Sequence, residues 1–293
     1  MKAAFLPDRG VIKVGGEDAR GFLDGLVTTN VALVQPGVAR FGALLTPQGK
    51  IVIDFLVTEA PPAYDGGFIF DCPLPLAQTL VDKLRFYKLR ARVTIENLSA
   101  QLGVLAVWDG VPKARPDLAF EDPRDPKLGW RMLVTNDLVA TTAGTLGATL
   151  VDSAAYEAHR IACGAPRGGV DFIYGDAFPH EANMDRLHGV DFDKGCYVGQ
   201  EVVSRMEHRG TARTRTVRVR LDRAAPEAGV AILAGDKPVG TMGSSANGLG
   251  LALMRVDRVT DALDSGLALT AGGLPVSLVA PEEARPAPKK ASA

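Results

Sequence analysis

The sequence predicts an α+β protein, with helix and strand mixed up to about residue 210 and β structure alone near its end. In the first part, segments with apolar residues at helical spacing are interspersed with short apolar strands. From Thr216 the texture changes to short alternating strands set apart by Gly, Asp and Asn turns, the pattern of a small β-barrel. With 293 residues, the chain is long enough for two domains and a core that needs no disulfide staples.

Taken in order, Val11 to Val14 reads as a strand and Glu17 to Leu26 as an amphipathic helix with Phe22, Leu23 and Leu26 on one stripe. Phe41 to Thr46 and Lys50 to Thr58 are apolar strands joined across Pro47-Gln48-Gly49, residues that favour a hairpin connection. Gly67 to Asp71 is a strand, and Leu74 to Tyr87 a helix carrying Leu76, Leu80, Leu84 and Tyr87 at helical spacing. Ala91 to Glu96 and Leu102 to Val107 return to strand. Asp109 to Gly129, rich in Pro, Asp and Arg, reads as a long surface connection before the strand Arg131 to Val134. Two helices, Ser153 to Ala162 and Glu181 to Leu187, bracket the loop Gly164 to Gly169, which its Pro and paired Gly keep from being helical. The closing strands are Thr216 to Leu221, Val230 to Leu233, Pro238 to Gly243 and Leu249 to Met254. After Pro281, the Ala, Pro, Lys and Glu composition buries nothing and predicts a disordered tail.

The net charge of −1 supplies no global field for nucleic acid or membrane. Three cysteines, Cys72, Cys163 and Cys196, form no Cys-x-x-Cys pair, which speaks against a sequence-local zinc site and for a reduced compartment such as a bacterial-type cytoplasm or an organelle matrix. The expected location is cytoplasmic. The opening apolar run is too short for a signal peptide, and no stretch approaches the roughly 18 apolar residues of a spanning helix. There is no dinucleotide or phosphate loop, no His-Glu-x-x-His and no Gly-x-Ser-x-Gly.

Chemistry concentrates in Lys194-Gly-Cys-Tyr-Val-Gly-Gln-Glu201. Lys194 and Cys196 are two apart, so in an extended segment both side chains leave one face, and a neighbouring ammonium favours a thiolate. Gly195 and Gly199 permit backbone conformations and close approaches that a side chain blocks. The competing reading is a structural cysteine beside a solvated lysine.

The motif resembles the signature of the YgfZ family of folate-binding proteins, relatives in fold of the glycine-cleavage T-protein that include mitochondrial iron-sulfur assembly factors. Phe178-Pro-His-Glu-Ala-Asn-Met-Asp185 and Val190-Asp-Phe-Asp193 upstream extend the resemblance, as do Val203-Ser-Arg-Met206 and Arg209 to Arg215 downstream. At the N-terminus, Gly16 to Asn30 and Leu45-Thr-Pro-Gln-Gly-Lys-Ile51 are similar to the family's opening helix and first hairpin.

This resemblance implies a T-protein-like ring: an α+β folate-binding region of two interleaved subdomains over residues 1–210, a C-terminal antiparallel β-barrel over 211–281, and a tail over 282–293. It implies tetrahydrofolate or a derivative as cofactor. Asp8 matches the spacing of the family's folate-contacting aspartate, and a carboxylate accepts from the N–H donors of a pterin edge. Asp8 before Arg-Gly also suits a plain turn. Tyr156 falls where the family places a folate-stacking aromatic, although an aromatic on an amphipathic helix also suits a core. Asp54 and Arg205 complete the expected contacts. Arg205 opens a basic stretch with Arg209, Arg213, Arg215, Arg218 and Arg220, suited to a polyglutamate tail, a phosphate backbone or an acidic protein surface, or simply solvated. No aromatic is interleaved, which disfavours nucleic acid as the main ligand, though the family's link to tRNA modification leaves a secondary contact open.

The expected function is therefore a folate-binding accessory factor in iron-sulfur cluster assembly or repair, with assembly factors and client [4Fe-4S] enzymes as partners. Cys196 is the working thiol, as a transient cluster ligand or in thiol exchange, with Lys194 favouring its ionised form and Gln200 and Glu201 orienting the loop. The enzymatic alternative is a tetrahydrofolate-dependent aminomethyltransferase. Two departures weigh against it: T-proteins carry paired aspartates where this chain has only Asp54, and a glutamate where this chain has Ala162. A scaffold with a silent Cys196 is a third reading. A Cys-His hydrolase using His180, His188 or His208 has only sequence proximity behind it.

Overall fold

A computed structural model describes residues 1–210, 212–222 and 225–284, and their contacts fall into two units, each assembled from separate stretches of chain. The first comprises Met1–Leu45, Val52–Tyr156 and Leu187–Val198; the second comprises Thr46–Ile51, Glu157–Arg186 and the chain from Gly199.

Along the first unit run β1 (Lys2–Leu6), β2 (Arg9–Gly15), α1 (Ala19–Asp24), β3 (Arg40–Leu45), β4 (Ile51–Glu59), β5 (Phe68–Pro73), α2 (Ala77–Lys88), β6 (Thr94–Asn97), β7 (Leu102–Trp108), β8 (Ala119–Glu121), β9 (Trp130–Thr135), α3 (Val139–Leu146) and β10 (Thr149–Val151). They form two five-stranded sheets, ordered β10-β1-β7-β9-β8 and β3-β4-β5-β2-β6. The Pro7–Asp8 turn carries the chain from β1 in one sheet to β2 in the other. Helix α2 buries Ala77, Leu80, Val81 and Leu84, a stripe at helical spacing, in one core with Leu23 of α1 and with Ile12, Phe55 and Phe70 of the second sheet. Each such leucine contributes about 1.5–3 kcal/mol by leaving water.

Five charged side chains of this unit form one network, with Asp71, Asp122 and Arg131 buried and Arg9 and Arg124 half-buried. Arg131 of β9 donates to Asp71 of β5 (3.5 Å), to Asp122 (3.3 Å) and to the Tyr156 hydroxyl (2.7 Å). Arg9 donates to the Asp71 carboxylate (2.5 Å) and carbonyl (2.7 Å), while Arg124 makes a forked pair with Asp122 (2.9 and 2.7 Å). Burial pushes the Asp122 carboxyl up, but the charge and hydrogen bonds of Arg124, with Arg131 behind them, outweigh it and hold the group down at about 2.

Helix α4 (Ser153–Cys163) begins in the first unit and ends in the second, which adds α5 (Gln200–Arg209), β11 (Thr214–Leu221), β12 (Ala231–Ala234), β13 (Lys237–Ala246), β14 (Leu249–Arg255), α6 (Val256–Asp264), β15 (Leu269–Ala271) and β16 (Leu274–Leu278). The strands close into an antiparallel barrel, β11-β14-β13-β12-β15-β16, filled by Val217, Val219, Ile232, Met242, Met254 and Val276. Closure leaves no sheet edge to pair with another chain. A buried knot ties this unit's non-barrel residues to its strands: Arg160 donates to Asp171 (2.9 Å) and Ser244 (2.8 Å), and Asp171 accepts from the Ser244 amide (2.7 Å).

Four expectations are corrected. Glu181 to Leu187 is a run of turns, because Asn183 takes φ 55°, Glu181 accepts from the Phe178 amide (2.8 Å) and Asn183 donates to the Thr216 carbonyl (2.6 Å), local bonds that compete with a helix. Asp109 to Gly129 is not all surface: it supplies β8, with Phe120, Asp122 and Leu128 buried. Gln200 and Glu201 lie in the first turn of α5 rather than in a loop. Glu282, Glu283 and Ala284, placed in the tail, form a 3₁₀ turn from Pro281, with Glu283 accepting from Arg218 (2.9 Å); the rest of that tail, 285–293, lies outside the described residues.

Asp122 sets an acid limit on stability. Its folded value lies below the unfolded one of about 3.9, so its contribution of about 2–3 kcal/mol is complete above pH 5 and is lost as pH falls through about 2. Urea unfolding between pH 6 and pH 2 reads this loss. Asp122→Asn, which strips Arg131 and Arg124 of a buried partner, lowers stability by about 3–5 kcal/mol at pH 7 and flattens the acid slope.

Candidate functional site

The candidate site is the crest at Gly195–Cys196, and its geometry is set by the buried residues on either side. In the first unit, Asp191 accepts from the amides of Asp193 (2.9 Å) and Lys194 (3.0 Å), an Asx turn that aims Lys194 inward. The Lys194 ammonium then donates to the carbonyls of Asp24 (2.7 Å), Val27 (2.9 Å) and Thr29 (2.8 Å), with the Asp24 carboxylate at 3.2 Å. Its three hydrogens are thus spent on carbonyls at and beyond the C-terminal end of α1, where the helix dipole favours a cation. Burial lowers the Lys194 pKa, against the raising effect of Asp24. Below the motif, Thr28 donates to the Gly189 carbonyl (2.6 Å) and accepts from the Ala43 amide (2.9 Å), pinning the same segment to β3.

On the other side of the crest, Tyr197 is buried, its ring 5.4 Å from the Lys194 nitrogen, and Val198 packs against the first unit's core. Burial, with the nearby Asp191 charge, raises the Tyr197 hydroxyl pKa, and that hydroxyl is enclosed with no hydrogen-bond partner among the described residues. Between these anchors Gly195 and Cys196 are exposed. A Cβ on Gly195 would meet nothing within 4 Å, so its missing side chain serves no packing in this chain and leaves open space beside the thiol. Gly199, by contrast, is needed for its backbone: it takes φ 83° as the N-cap of α5. None of the three cysteines is in a disulfide; Cys72 is buried, Cys163 half-buried and Cys196 exposed.

The expected roles are redistributed by these positions. Lys194 is a structural anchor turned into the α1 end, which corrects the picture of a lysine sharing a face with Cys196. Tyr156 is 4% exposed, edge-on to Trp108 (5.4 Å) and bonded to Arg131, so its ring belongs to the core rather than to a stacking surface. Asp54 is buried on β4, close enough to Arg9 and Arg124 to raise both their pKa values. Asp8 is exposed in the β1–β2 turn, its carbonyl accepting from the Leu74 amide (2.8 Å). Asp8, Asp54 and Tyr156 thus share the first unit, Asp54 and Tyr156 beside members of the ion network.

Arg205 lies in the second unit, on α5, paired with Glu201 one turn earlier. The basic stretch is not one patch: Arg215 is buried against Asp185 (2.7 Å) and Arg218 pairs with Glu283, while Arg209, Arg213 and Arg220 are exposed. His180 is buried and bonded to Glu207 (3.2 Å), and burial lowers its pKa against the opposing Asp185 and Glu207. With Asp185 it forms a group whose ligand atoms lie within 4.8 Å of one another, but the Arg215 guanidinium already neutralises Asp185 there. Arg9, Asp71, Asp122, Arg124 and Arg131 were not expected as site neighbours. Their only sequence signal is a charged residue inside an otherwise apolar strand, as at Asp71 and Arg131.

Comparison with known proteins bears on the fold and the family. The CAF17 C-terminal β-barrel domain family matches residues 213–286. The mitochondrial iron-sulfur cluster assembly factor IBA57 homolog of Mycosarcoma maydis is 35% identical over 228 residues, 74% of this chain and 56% of that protein. The mitochondrial iron-sulfur cluster assembly factor IBA57 of Mus musculus is 32% identical over 282 residues, 87% of this chain and 77% of that protein. The chain therefore spans about half the length of the fungal relative and about three quarters of the mouse one. The glycine cleavage system aminomethyltransferase T of Bartonella henselae matches with a TM-score of 0.73 over 96% of this chain and 85% of that one, at 16% identity, a likeness of fold alone. Among the described residues no helix is long and apolar enough to cross a membrane. With the T-protein-like α+β fold, the closed C-terminal barrel and these relatives, the chain belongs to the IBA57 family of iron-sulfur cluster assembly factors.

Proposed function

We propose that this protein is a folate-binding accessory factor in the assembly or repair of iron-sulfur clusters, acting on client [4Fe-4S] enzymes with other assembly factors in a reducing compartment, and that Cys196 is its working thiol. The observation that carries the reading is the exposed thiol held between two buried anchors in a chain whose relatives are named as assembly factors. A thiolate ligates iron and attacks sulfur, and an exposed thiol with open space at Gly195 beside it is accessible to a second macromolecule. One thiol does not complete the coordination of a cluster, so the cluster is cargo shared with a partner. The YgfZ-type signature around Lys194 to Glu201 supports the same role.

The residues present fit a folate in part. Asp8 supplies an exposed carboxylate acceptor and Asp54 a buried one, the group that a pterin edge requires, whereas the Tyr156 ring is held in the core by Trp108 and Arg131, and Arg205 is already paired. When bound, tetrahydrofolate would supply a reduced, one-carbon-carrying pterin; Asp54 would orient its ring. A single carboxylate at this position supports binding over aminomethyl transfer, for which general acid-base help is worth roughly 10²- to 10⁴-fold.

The deciding experiment measures several [4Fe-4S] enzymes and glycine cleavage in cells lacking the protein and resupplied with variants. Wild type restores the iron-sulfur activities and Cys196→Ala does not; intact iron-sulfur enzymes with failed glycine cleavage would overturn the reading in favour of an aminomethyltransferase. Two further substitutions separate presentation of the thiol from stability. Lys194→Met leaves the Asp24, Val27 and Thr29 carbonyls without their donor and lowers stability by about 1–3 kcal/mol, read as a fall in urea midpoint. Gly195→Ala leaves the midpoint unchanged and impairs rescue, because the added methyl meets only an approaching partner. For the folate, Asp54→Asn weakens tetrahydrofolate binding by about tenfold in calorimetry; unchanged affinity removes Asp54 from the site.

A further inference from the structure

In the second unit, α6 and the β12–β13 hairpin wall a groove of about 510 Å³, a size that holds a small molecule. Its floor is apolar and buried, formed by Ala234 of β12, Val239 of β13 and Ala262 of α6. The exposed Leu267 closes the end where α6 stops. Its amide donates to the Ala262 carbonyl (2.9 Å) after Gly266 turns at φ 67°, so the helix end itself sets where this leucine stands.

The charges of this groove are held apart. Arg258 and Asp261 stand three residues apart on α6, the spacing at which opposite charges usually close into an ion pair, yet they form none among the described residues. The Arg258 guanidinium is instead drawn across to the Pro238 carbonyl at the start of β13 (2.9 Å). Lys237, beside that proline on the same wall, pairs with no acid among the described residues. At the head of the same helix, by contrast, Arg255 and Asp257 do pair (2.7 Å). The Ser265 hydroxyl donates to the Asp261 carbonyl (2.7 Å), and its oxygen adds an acceptor to the lining near the acid.

We propose that this groove binds a small zwitterion with an apolar side chain, a free amino acid or a dipeptide. Its carboxylate is held by Arg258 and Lys237, its ammonium by Asp261 and Ser265, and its side chain lies on Ala234, Val239 and Ala262. A plain carboxylate would face Asp261 and a plain amine would face two cations, whereas a ligand carrying both signs satisfies the whole lining. The groove belongs to the unit that contains neither Cys196 nor Asp8 and Asp54, so the inference does not rest on the function proposed for those residues.

The test is isothermal titration calorimetry of the full-length protein with leucine and leucyl-leucine. Each is run beside two blocked forms, the N-acetyl compound, which lacks the ammonium, and the amide, which lacks the carboxylate. The free zwitterions bind, and either blocked form binds more weakly by about tenfold or more, as does glycine, which has no side chain for the floor. Arg258→Gln abolishes the preference for leucine over its amide and keeps the preference over N-acetyl-leucine; Asp261→Asn does the reverse. Both residues are exposed, so each variant keeps the wild-type thermal midpoint, and a merely structural role would not give the crossed pattern. Whichever free probe binds more tightly identifies the ligand as an amino acid or a dipeptide. No saturable binding of either free probe, equal binding of free and blocked forms, or affinities that neither substitution changes would overturn the proposal. Binding of the N-acetyl compounds alone would assign the groove to simple carboxylates and overturn it as well.

Discussion

The buried guanidinium of Arg131 is the interaction on which the first unit's architecture turns. It reaches from β9 in one sheet to Asp71 on β5 in the other, and also to Asp122 and to Tyr156 at the start of α4. Burying such a cluster costs several kcal/mol per ion in desolvation, and apolar residues of the same volume would cost less. What the ions add is direction: a guanidinium fork donates best to partners in its plane, so the register of four chain segments is fixed together. Asp54, in the field of Arg9 and Arg124, takes its electrostatic surroundings from the same cluster.

Lys194 applies the same device at the motif. A lysine usually keeps its ammonium in water; here it is withdrawn and satisfied by backbone carbonyls. The outcome is mechanical rather than electronic. The residue that in an extended strand would stand beside Cys196 instead pulls the chain down on one side of it, Tyr197 and Val198 hold the other, and the thiol is left on a supported crest.

Local periodicity was sufficient for the elements whose burial follows their own sequence. The strands at Val11–Val14 and Leu102–Val107, helix α2, and the first barrel strands lie where alternation or helical spacing puts them. It failed where a side chain's partner is far along the chain. Glu181 to Leu187 has helix-forming composition, yet its glutamate and asparagine bond to backbone instead. Helices α3, α5 and α6 and strands β1, β8, β10, β15 and β16 do not stand out in the sequence, α5 because glycines and charges mask its start and α6 because charged residues surround the three it buries. At the site, the importance of the motif was legible as a motif, and the exposure of Cys196 agrees with it. The direction of Lys194 was not legible, because its acceptors lie about 165 residues earlier. Tyr156 shows the converse: a position matched by resemblance whose ring the Arg131 network has claimed for the core.

The discontinuity of the two units has a consequence for how the protein is made. The first unit closes only with Leu187–Val198, and the second begins with the hairpin tip Thr46–Ile51 yet needs the barrel strands that end at Leu278. A ribosome therefore releases no finished unit until just over two thirds of the chain has emerged, and Lys194, which seals the end of α1, arrives among the last residues that the first unit requires. Until then the carbonyls at Asp24, Val27 and Thr29 await their donor, and no single cut in the sequence yields a self-contained half. The segment bearing the thiol is thus also the closing stitch of the unit that carries it, which binds display of the cysteine to completion of the fold.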